Sequence, residues 1–173
     1  MVNKKILLGI LVLVLVFGMT VVGCEEEKPS FSYEKTTYNE NGHSYAIINE
    51  ITTWNEAKSY CEGLKGHLAT ITSQGEQTFI ENLLKRKENN KNLYWLGGYA
   101  TNGTWRWVTG EPFTSYNNWN ESHSTLTLSN EDKLQIYRAE NPGFGGLLGE
   151  WEDDINEGTT SFYQNVGFIC EWD

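Results

Sequence analysis

An uncharged run of 17 residues, Ile6 to Val22, decides where this chain folds before any other feature is read. It is mostly Leu, Val and Ile, follows the basic pair Lys4 and Lys5, and closes on the small-residue stretch Val21-Val22-Gly23. A basic head, an apolar stretch and a small-residue boundary are the parts of an export signal. The competing reading is an uncleaved membrane-spanning helix, for which 17 residues is at the short end. Taken as a signal, residues 1–23 leave a short polar stretch, residues 24–37, and one domain, residues 38–173. A domain of that length supports a single hydrophobic core.

The residue after the boundary is Cys24, followed at once by Glu25-Glu26-Glu27-Lys28-Pro29. A cysteine at the end of such a run resembles a bacterial lipobox, in which Cys24 becomes the new first residue and carries lipid. Several acyl chains on one cysteine exceed the two anchoring signals that stable membrane attachment needs. Residues 25 to 36 then read as a polar tether, and the domain is expected outside the cytoplasm, lipid-anchored to the cell membrane at a bacterial surface or periplasmic face. Export also sets the redox state. Cys61 and Cys170, 109 positions apart, can pair in an oxidising compartment and leave no thiol over. A bridge over that loop would contribute on the order of 4–5 kcal/mol by loop entropy. Two separate buried thiols are the alternative.

Charge removes several functions. With 23 acidic against 13 basic side chains, the chain lacks the basic footprint that nucleic acid requires. Loss of residues 1–23 takes two lysines and no acid, so 11 basic side chains remain and the formal charge becomes −12. The cysteines have neither the CxxC nor the Cys/His spacing of the usual structural zinc sites.

Two helices stand out. Thr53-Trp54-Asn55-Glu56 is a capping box ahead of Ala57, Tyr60, Cys61 and Leu64, with Gly66 as terminator. Ser73-Gln74-Gly75-Glu76 is a second box, ahead of Phe79, Ile80, Leu83 and Leu84, and Lys85, Arg86 and Lys87 fall in that helix's last turn, where positive charge opposes the dipole. Short strands are predicted over 45–48, 67–71, 94–98, 104–108, 133–137 and 166–172. The polar stretch from Thr109 to Asn130 is too long for a plain connection, so it is expected to be a working loop.

Thr53-Trp54-x-x-Ala57 leading to Cys61, Gly66-His67-Leu68-Ala69-Thr70-Ile71, Trp95-Leu96-Gly97-Gly98, Trp105-Arg106-Trp107, Tyr116-x-x-Trp119, Trp151-Glu152-Asp153 and Ile169-Cys170-Glu171 together resemble the C-type lectin-like domain, in that family's order over residues 38 to 173. The resemblance implies an α+β fold of two helices and short antiparallel strands with a long loop region. It also implies paired terminal strands, a Cys61–Cys170 bridge, Trp-Leu-Gly-Gly at the centre of the core, and a ligand surface on the long loop.

Sugar-binding members of that family hold calcium with a Glu-Pro-Asn triplet, a later Glu, and the Asn and Asp of a Trp-Asn-Asp triplet; oxygen donors suit this hard cation. Glu111-Pro112-Phe113 lies ahead of the loop and is a decoy, whereas His123-Ser124-Thr125 stands where the triplet belongs. The later acid falls on Glu131, and Trp151-Glu152-Asp153 replaces the family's Asn by Glu. The resemblance therefore makes Glu131, Glu152 and Asp153 the candidate calcium ligands, with His123, Asp132, Asp154 and Trp119 beside them as ligand-binding candidates. An acidic solvated rim explains the same charges without a site. Lys133 and Asn156 occupy the places of the family's inner disulfide, so the loop lacks that staple. Phe113, Tyr116, Trp119, Phe144, Phe162 and Tyr163 could instead serve a protein-binding surface, or simply pack. His43, His67 and His123 have no evident Ser or Cys nucleophile. The expectation is a non-catalytic module for a glycan or protein ligand, with calcium as the one cofactor in question.

Overall fold

The computed structural model describes residues 30–121, 132–138, 146–155 and 166–173. Cys24, His123, Glu131, Phe144, Asn156, Phe162 and Tyr163 lie outside the described residues, as do the side chain of Asp132 and the whole leader. The element order is β1 (Thr36–Thr37), β2 (Ser44–Ile48), α1 (Trp54–Gly63), β3 (His67–Leu68), α2 (Gln74–Leu84), β4 (Leu93–Thr101), β5 (Thr104–Trp107), β6 (Asp132–Tyr137), β7 (Trp151–Ile155) and β8 (Val166–Trp172). This is the expected α+β arrangement, with two additions, β1 and β7. The folded part also starts before residue 38. Thr36 and Thr37 pair with β2, Phe31 stacks on Tyr60 at 4.6 Å, and Tyr33 stacks on Trp172 at 5.8 Å.

α1 begins as its sequence dictates. The Thr53 side chain accepts from the Glu56 amide and the Glu56 carboxylate accepts from the Thr53 amide, which satisfies two otherwise orphaned donors. Trp54, Ala57 and Cys61 face inward. The left-handed residue that ends the helix is Lys65, at φ 65°, not Gly66. Gly66 is required for closeness instead, since a Cβ there would lie 2.3 Å from the Glu171 carbonyl oxygen. In α2, Ser73 caps the Glu76 amide, but the box is only half made, because the Glu76 carboxylate turns inward to the Thr72 amide. The helix ends at Leu84, so Lys85 is its cap and Arg86 and Lys87 lie beyond. Arg86 donates to the Thr36 hydroxyl at 3.1 Å and so helps dock the first strand.

The strands form one sheet in the order β1-β2-β8-β4-β6-β7, with β3 also on β8 and β5 also on β4. All pairs are antiparallel except β4 with β8. Alternation along the strands feeds two cores. Tyr45, Tyr94, Leu96 and Ile169 join Ile80 and Leu84 of α2, whereas Ala46, Ile48, Trp95, Phe168 and Cys170 join Trp54, Ala57 and Cys61 of α1. A strand covered on both faces reads as continuously apolar, which is why every residue of β8 is buried. Trp-Leu-Gly-Gly sits centrally, and Gly97 lets β4 approach the β3 segment, since a Cβ there would meet the Leu68 carbonyl oxygen at 2.6 Å. Cys61 and Cys170 are joined by a disulfide, Cα atoms 5.6 Å apart, which ties α1 to the last strand.

Candidate functional site

The base of the long loop is built on β7. Trp119 bridges to Trp151, the Asn120 amide donates to the Trp151 carbonyl at 2.9 Å, and the Trp151 amide donates to the Asn118 carbonyl at 2.8 Å. Asn118 adds a side-chain bond to the Gly149 carbonyl at 2.8 Å, and the buried Asn120 side chain donates to the Glu150 carboxylate. Hydrogen bonds thus clamp the loop's entry. Sequence reasoning missed these two asparagines; an Asn-Trp-Asn triplet inside a polar loop carries no period that marks a clamp. The Lys133 ammonium lies 5.0 Å from the Trp54 ring centroid.

Trp119 is therefore not an open stacking platform. Its ring lies 5.0 Å from Trp105 and 6.1 Å from both Phe113 and Trp151. Trp151 is fully buried, edge-on to Trp107 at 5.7 Å, and its indole N–H donates to the Gln77 side chain at 3.0 Å. Phe113 and Tyr116 also pack on Trp151. Glu111 accepts from the hydroxyls of Thr70 and Thr109, at 3.1 and 2.7 Å, which ties the 111–113 segment to Thr70. A cleft of about 400 Å³ opens on this side, lined by Tyr99, Trp105, Arg106, Glu111 and Phe113.

The three acids of β7 are not gathered into one site. In a strand, consecutive side chains point to opposite faces, so Glu152 and Asp153 diverge. Glu152 is 1% exposed, lies opposite Gln135 and accepts from the Tyr137 hydroxyl. Burial pushes its carboxyl up to about 7; the Tyr137 bond works against that, and Asp154 and Asp153 reinforce it. Asp154, on the same face as Glu152, accepts from the Gln135 amide at 3.3 Å. Glu152 is thus an interior carboxyl, bonded to Tyr137. The described part of the proposed ligand set, Glu152 and Asp153, makes no three-donor metal cluster among the described residues.

A second polar centre lies where β2 and β3 meet the last strand, β8. Glu171, fully buried, accepts from the Thr70 amide at 2.8 Å, the Thr70 hydroxyl at 3.1 Å and the Tyr45 hydroxyl at 3.0 Å, and its Oε1 is 2.7 Å from His43 Nδ1. Glu76, 3% exposed, shares that Tyr45 hydroxyl and accepts from the Thr72 amide at 2.7 Å. Burial and the nearby Glu171 and Glu76 carboxylates push the Tyr45 phenol far up, and burial likewise raises Glu171. His67 completes the group, with Nε2 3.1 Å from Asp173 Oδ1. The available signal was an acid inside an otherwise apolar strand, Ile169-Cys170-Glu171-Trp172, which must be partnered when buried.

The family model "Lectin C-type domain" matches residues 50–141. The chain belongs to the C-type lectin domain family. C-type lectin domain family 4 member F of Rattus norvegicus is 36% identical over 75 residues, 42% of this chain and 13% of that protein. This C-type lectin domain thus spans about an eighth of that relative. Perlucin-like protein of Mytilus galloprovincialis is 27% identical over 119 residues, 68% of each protein. Among solved structures, a calcium-independent type II antifreeze protein is similar with a TM-score of 0.60 at 21% identity, over 83% of this chain and 98% of that one, a likeness of fold. C-type lectin domains are generally binding modules rather than enzymes, and they include both calcium-dependent and calcium-independent forms.

Proposed function

We propose that this domain is a non-catalytic recognition module, displayed outside the cytoplasm on a lipid anchor at Cys24, that holds a glycan or protein ligand without a bridging calcium ion. The observation that carries the calcium-free reading is Glu152. It stands where the family pattern puts a calcium ligand, yet it is buried, bonded to Tyr137 and pushed up to about 7, so that about half of it is protonated at neutral pH. A calcium ligand must be deprotonated and turned toward the ion. His123-Ser124-Thr125 in place of the Glu-Pro-Asn triplet points the same way. The cleft between Trp105, Arg106 and Phe113 offers aromatic faces beside a guanidinium, a combination suited to either sugar rings or a peptide surface. The Cys61–Cys170 bridge is consistent with an oxidising compartment, and the leader with Cys24 supports the anchor.

Full-length protein in mild detergent, applied to glycan and protein arrays with and without EDTA, tests the reading. Binding that survives EDTA and falls in Arg106→Ala supports it; binding abolished by EDTA and restored by calcium overturns it. For the anchor, membrane partition with acyl label that persists in Cys24→Ala would refute lipidation there.

A further inference from the structure

His67 meets an acceptor at each of its ring nitrogens. Nδ1 lies 2.9 Å from the Leu68 carbonyl oxygen, and Nε2 lies 3.1 Å from Asp173 Oδ1. A carbonyl and a carboxylate only accept, so both contacts are hydrogen bonds when the imidazole carries two N–H groups, which makes it a cation. We propose that His67 is a proton-operated latch, which in its charged form fastens the end of β8 to β3 and on losing its proton lets Asp173 go. Removal of one proton leaves either Leu68 or Asp173 facing a nitrogen lone pair. The Leu68 carbonyl is fixed, because β3 is paired with β8 and packed against Gly97. Asp173 is 70% exposed, so it is the partner that turns away to water.

The surroundings favour the charged form. Burial works against it, but the bonds to Leu68 and Asp173 and the negative fields of Glu171 and Asp173 outweigh burial and hold the imidazole above its usual value. Glu171 Oε2, on β8, is 3.8 Å from Nδ1. His43, next to β2, does not take over Asp173, because its Nδ1 is 2.7 Å from Glu171 Oε1 and 3.6 Å from Asp173 Oδ1. Behind Glu171 lie Tyr45 of β2, Glu76 of α2 and Glu111, which shares the Thr70 hydroxyl with Glu171. Lys35, ahead of β1, stands 3.7 Å from the Trp172 ring centroid. A histidine held above its unfolded value of about 6.5 adds stability below that value and loses it as pH rises through the folded one. The latch is therefore shut in mild acid and opens toward alkaline pH. Trp172 lies between Glu171 and Asp173, donates its indole N–H to the Leu64 carbonyl at 3.0 Å and stacks on Tyr33. Opening the latch thus loosens the packing through which Tyr33 and Lys35 hold the last strand.

A pH titration of the full-length chain in mild detergent, followed by NMR of isotope-labelled histidine and by amide hydrogen exchange, tests the proposal. The expected result is a His67 midpoint above about 6.5, brought down toward that value in Asp173→Asn, whose neutral acceptor favours the cation less. Protection of the Trp172 and Asp173 amides should fall roughly two- to fivefold as His67 loses its proton, the range of an exposed ion pair. His67→Gln should abolish that fall, whereas Glu152→Gln, which removes a buried acid that titrates near neutrality, should leave it in place. Circular dichroism verifies the fold of each variant; if His67→Gln does not fold, Asp173→Asn, at an exposed position, should flatten the same fall. A His67 midpoint at or below about 6.5, a midpoint unmoved in Asp173→Asn, protection that stays constant across the His67 titration, or a fall that persists in folded His67→Gln would each overturn the proposal.

Discussion

Replacing Glu152 by Gln should make the protein more stable at alkaline pH, and the size of the gain follows from where the carboxyl sits. The ordinary glutamate value near 4.5 becomes about 7 in the folded chain, because burial disfavours the carboxylate. Between those two values the folded state holds a proton that the unfolded state has released. Stability therefore falls as pH rises through that window, and the loss is complete above about 7. Each pH unit of difference corresponds to about 1.4 kcal/mol, so this one group costs about 3 kcal/mol at pH 8 relative to pH 4. The substituted amide stays neutral at every pH, and its oxygen still accepts from the Tyr137 hydroxyl. Parent and variant should unfold in urea at similar midpoints near pH 4.5, then separate, with the variant ahead by about 3 kcal/mol near pH 8. EDTA in both series keeps cations out of the comparison. Identical pH dependence in the two proteins, or a variant less stable than the parent at pH 8, would refute the buried-acid argument.

Serine at both Cys61 and Cys170 should cost about 4–5 kcal/mol, read as a lowered urea midpoint that matches the reduced parent. Asn120→Ala removes a buried amide that holds Glu150 and should cost about 1–3 kcal/mol, with faster hydrogen exchange at the Trp151 amide as the local readout. Gly97→Ala places a methyl 2.6 Å from a backbone oxygen that cannot yield, so a loss of about 2 kcal/mol or more in thermal unfolding is expected. Trp151→Phe keeps an aromatic ring but shrinks a fully buried side chain and leaves Gln77 without its indole donor, so a loss of about 2–4 kcal/mol should appear in the same assay.

The helices and the central strands are legible in the sequence because local rules and tertiary packing agree there. Thr53 and Glu56 cap each other as their spacing says, and Trp54, Ala57 and Cys61 share a face because 3.6 residues make a turn. At Glu76 the two levels part. Local chemistry wants its carboxylate on the Ser73 amide, but Tyr45 and Thr72 offer buried donors, and the tertiary bonds win. β7 is hidden for a related reason. Trp151-Glu152-Asp153-Asp154 is three-quarters acid and has no apolar alternation, and it is a strand only because β6 pairs with it on one side and the Trp119 segment bridges to its first residue. The same four residues resemble a calcium set because residue type is visible in a sequence and side-chain direction is not. β1 reads as tether because two threonines and the aromatics Phe31 and Tyr33 show their role only once Trp172 and Tyr60 are beside them.

The Cys61–Cys170 link also sets how this domain would respond to force. Pulling the two ends apart loads β2 against β8 and reaches the disulfide after only the first strands and α1 have come away. Tension then crosses from α1 to the last strand through sulfur, and the 109-position loop between them is bypassed. At about 3.4 Å per residue, roughly 370 Å of chain stays locked in place, including the whole of the recognition face. A single-molecule stretching trace should therefore show a short extension in oxidising buffer and the long one only after reduction. Stretched between its two ends, the domain would keep the loops between the two cysteines intact under loads that strip its edge strands.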